Sequence, residues 1–153
     1  MDRVALTFLP YAKIVKKPSL KPYNANPQTL GEHIKKRRIE TNLLQKEVAA
    51  IIGVSEDSVT YWENGRAIPQ VQHYPRLITF LGYYPFIHET KSIAGKLKQV
   101  RNCLGLSYEQ CGEVFSVHAS TIRAWELKHH CPPAVTHLLI TALWDSLPEF
   151  VTI

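Results

Sequence analysis

The feature that most limits what this chain can fold into is an internal repeat. Displaced by 63 residues, its two halves align without a gap over about forty positions. Trp62-Glu63 meets Trp125-Glu126, Pro69 meets Pro132, Lys35 meets Lys98, Arg38 meets Arg101, Leu43 meets Leu106 and Val54 meets Val117. Apolar character is shared at Leu30/Ile93, Ile34/Leu97, Val48/Cys111, Ile51/Val114, Ile52/Phe115, Val59/Ile122 and Leu77/Ile140. Amphipathic helices falling into register by chance would share periodicity, but not the rare Trp-Glu pair and the proline together. The repeat is read as a duplication, so two small units of one kind are expected.

Within the first half the apolar spacing is helical. Leu30 and Ile34 open a helix with Thr29 as N-cap and Glu32 completing a capping box, and Asn42 can take the left-handed turn that ends it. Gln45 to Ile52 forms a second short helix with Val48, Ala49 and Ile52 facing inward, stopped by Gly53. Ser55 caps a third helix running to Asn64, with Val59 and Trp62 on one face. Pro69 blocks its continuation, and a fourth helix from Tyr74 to Leu81 turns Leu77, Ile78 and Leu81 inward. Residues 82–86, Gly-Tyr-Tyr-Pro-Phe, read as a connection.

Before this, Pro18, Pro22 and Pro27 stand among lysines and asparagines and exclude a helix. Val4–Leu9 has the composition of a short strand but no evident partner. The expected division is a basic, irregular arm over 1–28, a first unit over 29–83, a second over 90–147 and a tail over 148–153. The fold class is all-α.

Net charge is +5, and its distribution is informative. Residues 1–28 carry +4, residues 29–81 carry +1 and residues 82–153 carry none. A polyanion would meet the arm first, although charge of this size is weak evidence for nucleic acid. No apolar run reaches the ~20 residues of a membrane span, and the start, with Asp2 and a short apolar stretch, does not read as a signal peptide. Three cysteines without a C-x-x-C pair argue against a disulfide framework or zinc, and Cys131 after His129-His130 reads as a loop between helices. A cytoplasmic protein without metal or cofactor is expected. No nucleophile–base pair or phosphate loop appears, so an enzyme is not expected.

A short helix, a glycine turn and a second helix make a helix-turn-helix. Leu43, Gln45, Val48-Ala49, Gly53-Val54-Ser55, Val59, Trp62-Glu63-Asn64-Gly65-Arg66 and Pro69 make the stretch from Leu30 to Leu81 resemble the Cro/lambda-repressor-type (XRE-like) family. The resemblance implies a domain whose third helix enters the DNA major groove. It implies that Gln45 hydrogen-bonds a phosphate at the positive end of its helix, and that Ser55 binds phosphate or the nearest base. Glu56, Asp57, Thr60 and Tyr61 would lie on the base-reading face, with Arg66 at a backbone contact. Lys46 and Arg37, the latter from the run Lys35–Arg38, are further candidate DNA contacts. Part of that run must be a solvated face, because four consecutive residues point all round a helix.

Glu56 and Asp57 put negative charge where the groove would be. Acids in a first helical turn are favoured by the dipole, and a carboxylate can also accept from the cytosine amino group. Tyr61 and Thr60 are the stronger candidates for groove contact.

The second copy keeps the core and loses polar positions: Tyr108 replaces Gln45, Ser116 replaces Gly53, and His118 replaces Ser55. Lys128-His129 fall where Gly65-Arg66 stood. Arg123, Ser120 and His118 are its candidate DNA contacts, and its zero net charge favours a supporting role. Glu63 and Glu126 are expected to brace the fold. A last helix over residues 133–147 is more apolar than one buried face needs; it can cover the first unit or form a homodimer contact.

Two functions follow. One is sequence-specific binding of double-stranded DNA by a transcriptional regulator. The other is a protein-interaction module, antitoxin-like or a defence-system adaptor, built on the same fold.

Overall fold

The computed structural model describes residues 23–86, 91–127 and 131–148. The cations from Arg3 to Lys21, the Val4–Leu9 segment, Lys128, His129 and the tail beyond Pro148 lie outside the described residues. Among the described residues there are eight α-helices and no strand. No helix there is long and apolar enough to cross a membrane.

The first four helices begin and end on local chemistry. In α1 (Leu30–Glu40) the Thr29 side chain accepts from Glu32 N–H and the Glu32 carboxylate reaches back to the Thr29 N–H. The chain leaves α1 through Asn42 at φ 57°. In α2 (Gln45–Ile52) Glu47 accepts from the Leu44 N–H at 2.7 Å, and Gly53 at φ 79° turns the chain. Ser55 Oγ accepts from Ser58 N–H to open α3 (Glu56–Glu63). A single 3-10 turn, Val71–His73, leads into α4 (Tyr74–Leu81), with Pro75 in its first turn.

These helices close on Ile34, Val48, Ala49, Ile52, Val59, Trp62 and Leu77. Gly31 lets α1 meet α3: a Cβ there would lie 1.8 Å from Trp62 O, so only glycine permits this approach. Nothing local in the sequence marks Gly31 for this role.

The remaining helices are α5 (Ile93–Leu104), α6 (Tyr108–Phe115), α7 (Ala119–Glu126) and α8 (Ala134–Asp145). Ser92 caps α5, a Ser107–Gln110 capping box opens α6, and His118 Nδ1 accepts from Ser120 N–H to open α7. Their core is Leu97, Cys111, Ile122, Trp125 and Ile140. Each of these five lies 63 residues after a member of the first core. Burying one such aliphatic side chain contributes about 1.5–3 kcal/mol.

The two cores are joined by α4 packing on α5. Ile78, Leu81 and Val100 are buried outside both clusters, at 3%, 1% and 2% exposure. The connecting residues are part of this packing. The Phe86 ring lies 4.8 Å from that of Tyr74 and 5.2 Å from that of Tyr84, and the Tyr84 hydroxyl accepts from Asn102 Nδ2. The other large contact is α8 on α5, with Trp144 Nε1 donating to Gln99 Oε1 at 2.9 Å. Of the two uses open to the last helix, its main packing is therefore against α5, not across α1–α4.

Candidate nucleic-acid interface

The surface built by α2 and α3 starts from a buried charge. The Glu63 side chain is 1% exposed and pairs with Arg38, whose Nε and Nη2 donate to its two oxygens at 2.6 and 2.7 Å. Arg38 Nη1 donates to Leu43 O, tying the α1–α2 turn to the same guanidinium. The Glu63 hydrogen bonds hold the Arg38 pKa above its ordinary value. A buried carboxylate has more than two lone pairs to satisfy. Gln45 Nε2 supplies a third donor at 2.9 Å, and Gln45 Oε1 accepts from Thr60 Oγ1 at 3.2 Å. Only the amide nitrogen can face a carboxylate, so this chain fixes which way round the Gln45 amide sits.

Gln45 is thus half-buried and held beside the middle of α3, with one N–H and one lone pair still unused by these bonds. Thr60 is half-buried and faces Gln45. Tyr61, Glu56, Asp57, Ser55, Arg66 and Lys46 are exposed. Ser55 Oγ is shared between the Ser58 N–H and the Ser58 hydroxyl, so capping occupies part of it. The Arg66 N–H donates to Tyr61 O, holding the turn after α3 against that helix. Arg37 lies apart from this set: its Nε donates to Phe80 O at the carboxyl end of α4.

The equivalent surface on α6 and α7 has the same frame with different chemistry. Arg101 Nε and Nη2 donate to Glu126 at 2.6 and 3.1 Å, and Arg101 Nη1 donates to Leu106 O. Burial alone would lower the Arg101 pKa; the Glu126 hydrogen bond and charge outweigh it and raise it. Tyr108 takes the place of Gln45: its hydroxyl donates to Glu126 Oε2 at 3.0 Å, and its ring lies under the Arg101 guanidinium. A phenol used this way offers no amide to a phosphate.

His118 and Ser120 are engaged with each other, Nδ1 to Oγ at 2.7 Å, at the start of α7. Arg123 is exposed. Two exposed acids missed by the sequence reading flank this surface: Glu109 at the place of Lys46, and Glu113 at the place of Ala50. The same 63-residue shift that revealed the repeat contained that signal.

Burial pushes the Cys103 and Cys111 thiols up to about 12 and about 11, so they stay protonated at neutral pH. Among the described residues no group of three His, Cys, Asp or Glu side chains gathers as a metal site.

A short helix, a left-handed glycine and a capped helix, locked at their crossing, occupy residues 45–63. Residues 34–86 match the helix-turn-helix family model. The match spans most of α1 through α4 and the connecting residues up to Phe86. No curated protein and no solved structure matches the chain.

Proposed function

We propose that this chain is a regulator of transcription that binds a specific site on double-stranded DNA, with α3 in the major groove. The observation that carries the reading is the Gln45 amide, held by Glu63 and Thr60 at the amino end of α2. There its remaining N–H and the α2 amino end can meet a phosphate while α3 enters the groove. Lys46 and Arg66 add backbone contacts, and Tyr61 and Ser55 are nearest the bases. Glu56 and Asp57 interact with the α3 dipole and restrict the bases tolerated beside them. Such a protein has no catalytic residues.

The two halves are read as tandem units of one kind, supported by the two cores with their matched residues and the two Arg–Glu pairs. The second is read as a supporting unit. Glu109, Glu113 and the engaged Tyr108 set it against phosphate, and Arg123 alone does not offset them. A homodimer through α8 belongs to the same reading. The adaptor function is favoured by the lost polar positions of the second copy and by the apolar exposure of that helix.

The test is selection of bound duplexes from random DNA, followed by gel-shift titration at several salt concentrations. A preferred sequence is expected, with log K falling by about 0.9 per phosphate contact for each unit of log salt. Replacing Gln45 and Tyr61 together should abolish the preference. No sequence preference and no salt dependence would overturn the reading, and cellular activity surviving the double replacement would favour the adaptor.

A further inference from the structure

Where α1, the connection after α4 and α5 come together, they leave a pocket of about 310 Å³. That is the lower end of the ~300–1,000 Å³ typical of small-molecule sites. Leu30, Pro27, Pro85 and Phe86 give it apolar walls. These walls are rigid: both prolines have a fixed φ, and the Phe86 ring is held against those of Tyr74 and Tyr84. Gln28 at the rim is fixed as well, its N–H donating to Glu32 Oε2 at 2.7 Å and its Nε2 to Asn26 O at 3.2 Å.

The polar side is cationic. Lys98 lines the pocket from α5 with an exposed side chain, and no carboxylate pairs with it among the described residues. His33 lines it from α1. Its Nδ1 lies 2.6 Å from the Tyr83 hydroxyl, which leaves Nε2 as the ring nitrogen open to a ligand. With the Tyr83 hydroxyl donating, Nε2 carries the proton and is a donor. Burial first, and the Lys36 ammonium second, hold the His33 pKa below its ordinary value, so the ring is an uncharged donor at neutral pH. No carboxylate among the described residues lines the pocket, and Glu32 is turned back on the Gln28 and Thr29 N–H groups. The second half spends the matching position differently: its Lys96 ammonium lies 4.4 Å from the centre of the Trp144 ring.

One cation, one neutral donor and fixed apolar walls suit one ligand chemistry. A phosphate brings more charge than a single ammonium offsets and nothing for the walls to cover, and an amine is repelled by Lys98. We propose that this pocket binds a small monocarboxylate with a flat apolar body, such as an aromatic acid. The carboxylate meets the Lys98 ammonium and His33 Nε2, and the body lies among Phe86, Pro27 and Pro85. The ligand touches α1 and the connection on one side and α5 on the other, so it stabilises the folded arrangement that builds the pocket. This binding is independent of the DNA reading.

Benzoate is the probe, titrated into the full chain to tens of millimolar and followed by amide NMR. A dissociation constant on the order of 1 mM is expected for so small a ligand, with the shifts gathered at Gln28, Leu30, His33, Phe86 and Lys98. At about ten times that concentration the thermal midpoint should rise by about 3–6 °C. Benzamide, of the same shape without the charge, should bind at least about fivefold more weakly, and inorganic phosphate should not bind. Lys98→Met keeps the aliphatic stem at an exposed position and removes the charge. It should weaken benzoate at least about fivefold and leave benzamide unchanged, while Lys91→Met, exposed and outside the lining, alters neither. Shifts that do not saturate, shifts gathered elsewhere, benzoate binding indifferent to Lys98→Met, or benzamide binding as tightly as benzoate would each overturn the proposal.

Discussion

Glu63 illustrates how much one side chain can organise. It receives Arg38 through two bonds and Gln45 through one, and residues from α1, α2 and α3 thereby converge on a single carboxylate. Its worth to stability lies in the cost of breaking it, since a guanidinium left without its partner in a half-buried site is far worse than no ion pair at all. Glu63→Gln keeps the shape and removes the charge. It should destabilise the chain by about 3–5 kcal/mol, read as a lower urea midpoint at unchanged slope. It should also weaken DNA binding beyond the loss of folded protein, because the Gln45 amide loses the group that orients it. Unaltered stability would mean that the pair is incidental. The Arg–Glu partnership spans 25 residues in each half. It was visible in the sequence only as recurrence of Arg and Glu, which suggested bracing without naming the partner.

At the scale of the element, the helices follow from chemistry within about four residues, which is the reach of a cap or a helical hydrogen bond. Thr29 with Glu32, Ser55 with Ser58 and Gly53 at positive φ could all be read in advance for this reason. Ser116 stands where Gly53 does and is held at φ 54°, a conformation that costs a residue with a Cβ. Ser116→Gly should therefore raise stability by about 0.5–1 kcal/mol, measurable by urea unfolding. The reverse change, Gly53→Ser, should lower it, with the added loss of the Arg76 bond to Ile52 O, because the new Cβ would meet Arg76 Nη1. If Ser116→Gly proves destabilising, the turn draws its stability from the serine side chain. Arg37 marks the limit of reasoning from an element alone. The run Lys35–Arg38 is uniformly basic, and only packing against α4 decides that Arg37 ends on Phe80 O and Arg38 on Glu63.

For the whole molecule, the decisive contact is α4 on α5, which joins the helices of the first core to those of the second. An apolar seam of this kind couples the stability of the parts it joins. Variants keeping only Trp62 or only Trp125 as fluorophore should report the same urea midpoint. Ile78→Asp, which buries a charge on α4, should separate the two midpoints. Different midpoints in the parent chain would show that the cores unfold independently. The sequence by itself determined the first four helices, the caps at Thr29 and Ser55, the Gly53 turn, the recurrence of the apolar pattern in the second half and the α2–turn–α3 segment, because periodicity and capping are local properties. Tertiary structure alone decided that Gly31 is where α1 meets the Trp62 backbone, that Gln45 faces Glu63 and Thr60, that Tyr108 fills the same place, and that α8 rests on α5 with Val135 and Leu138 outward. An apolar or basic pattern states that a face needs covering or solvating; what it meets depends on how the helices cross, and no short stretch of chain encodes that.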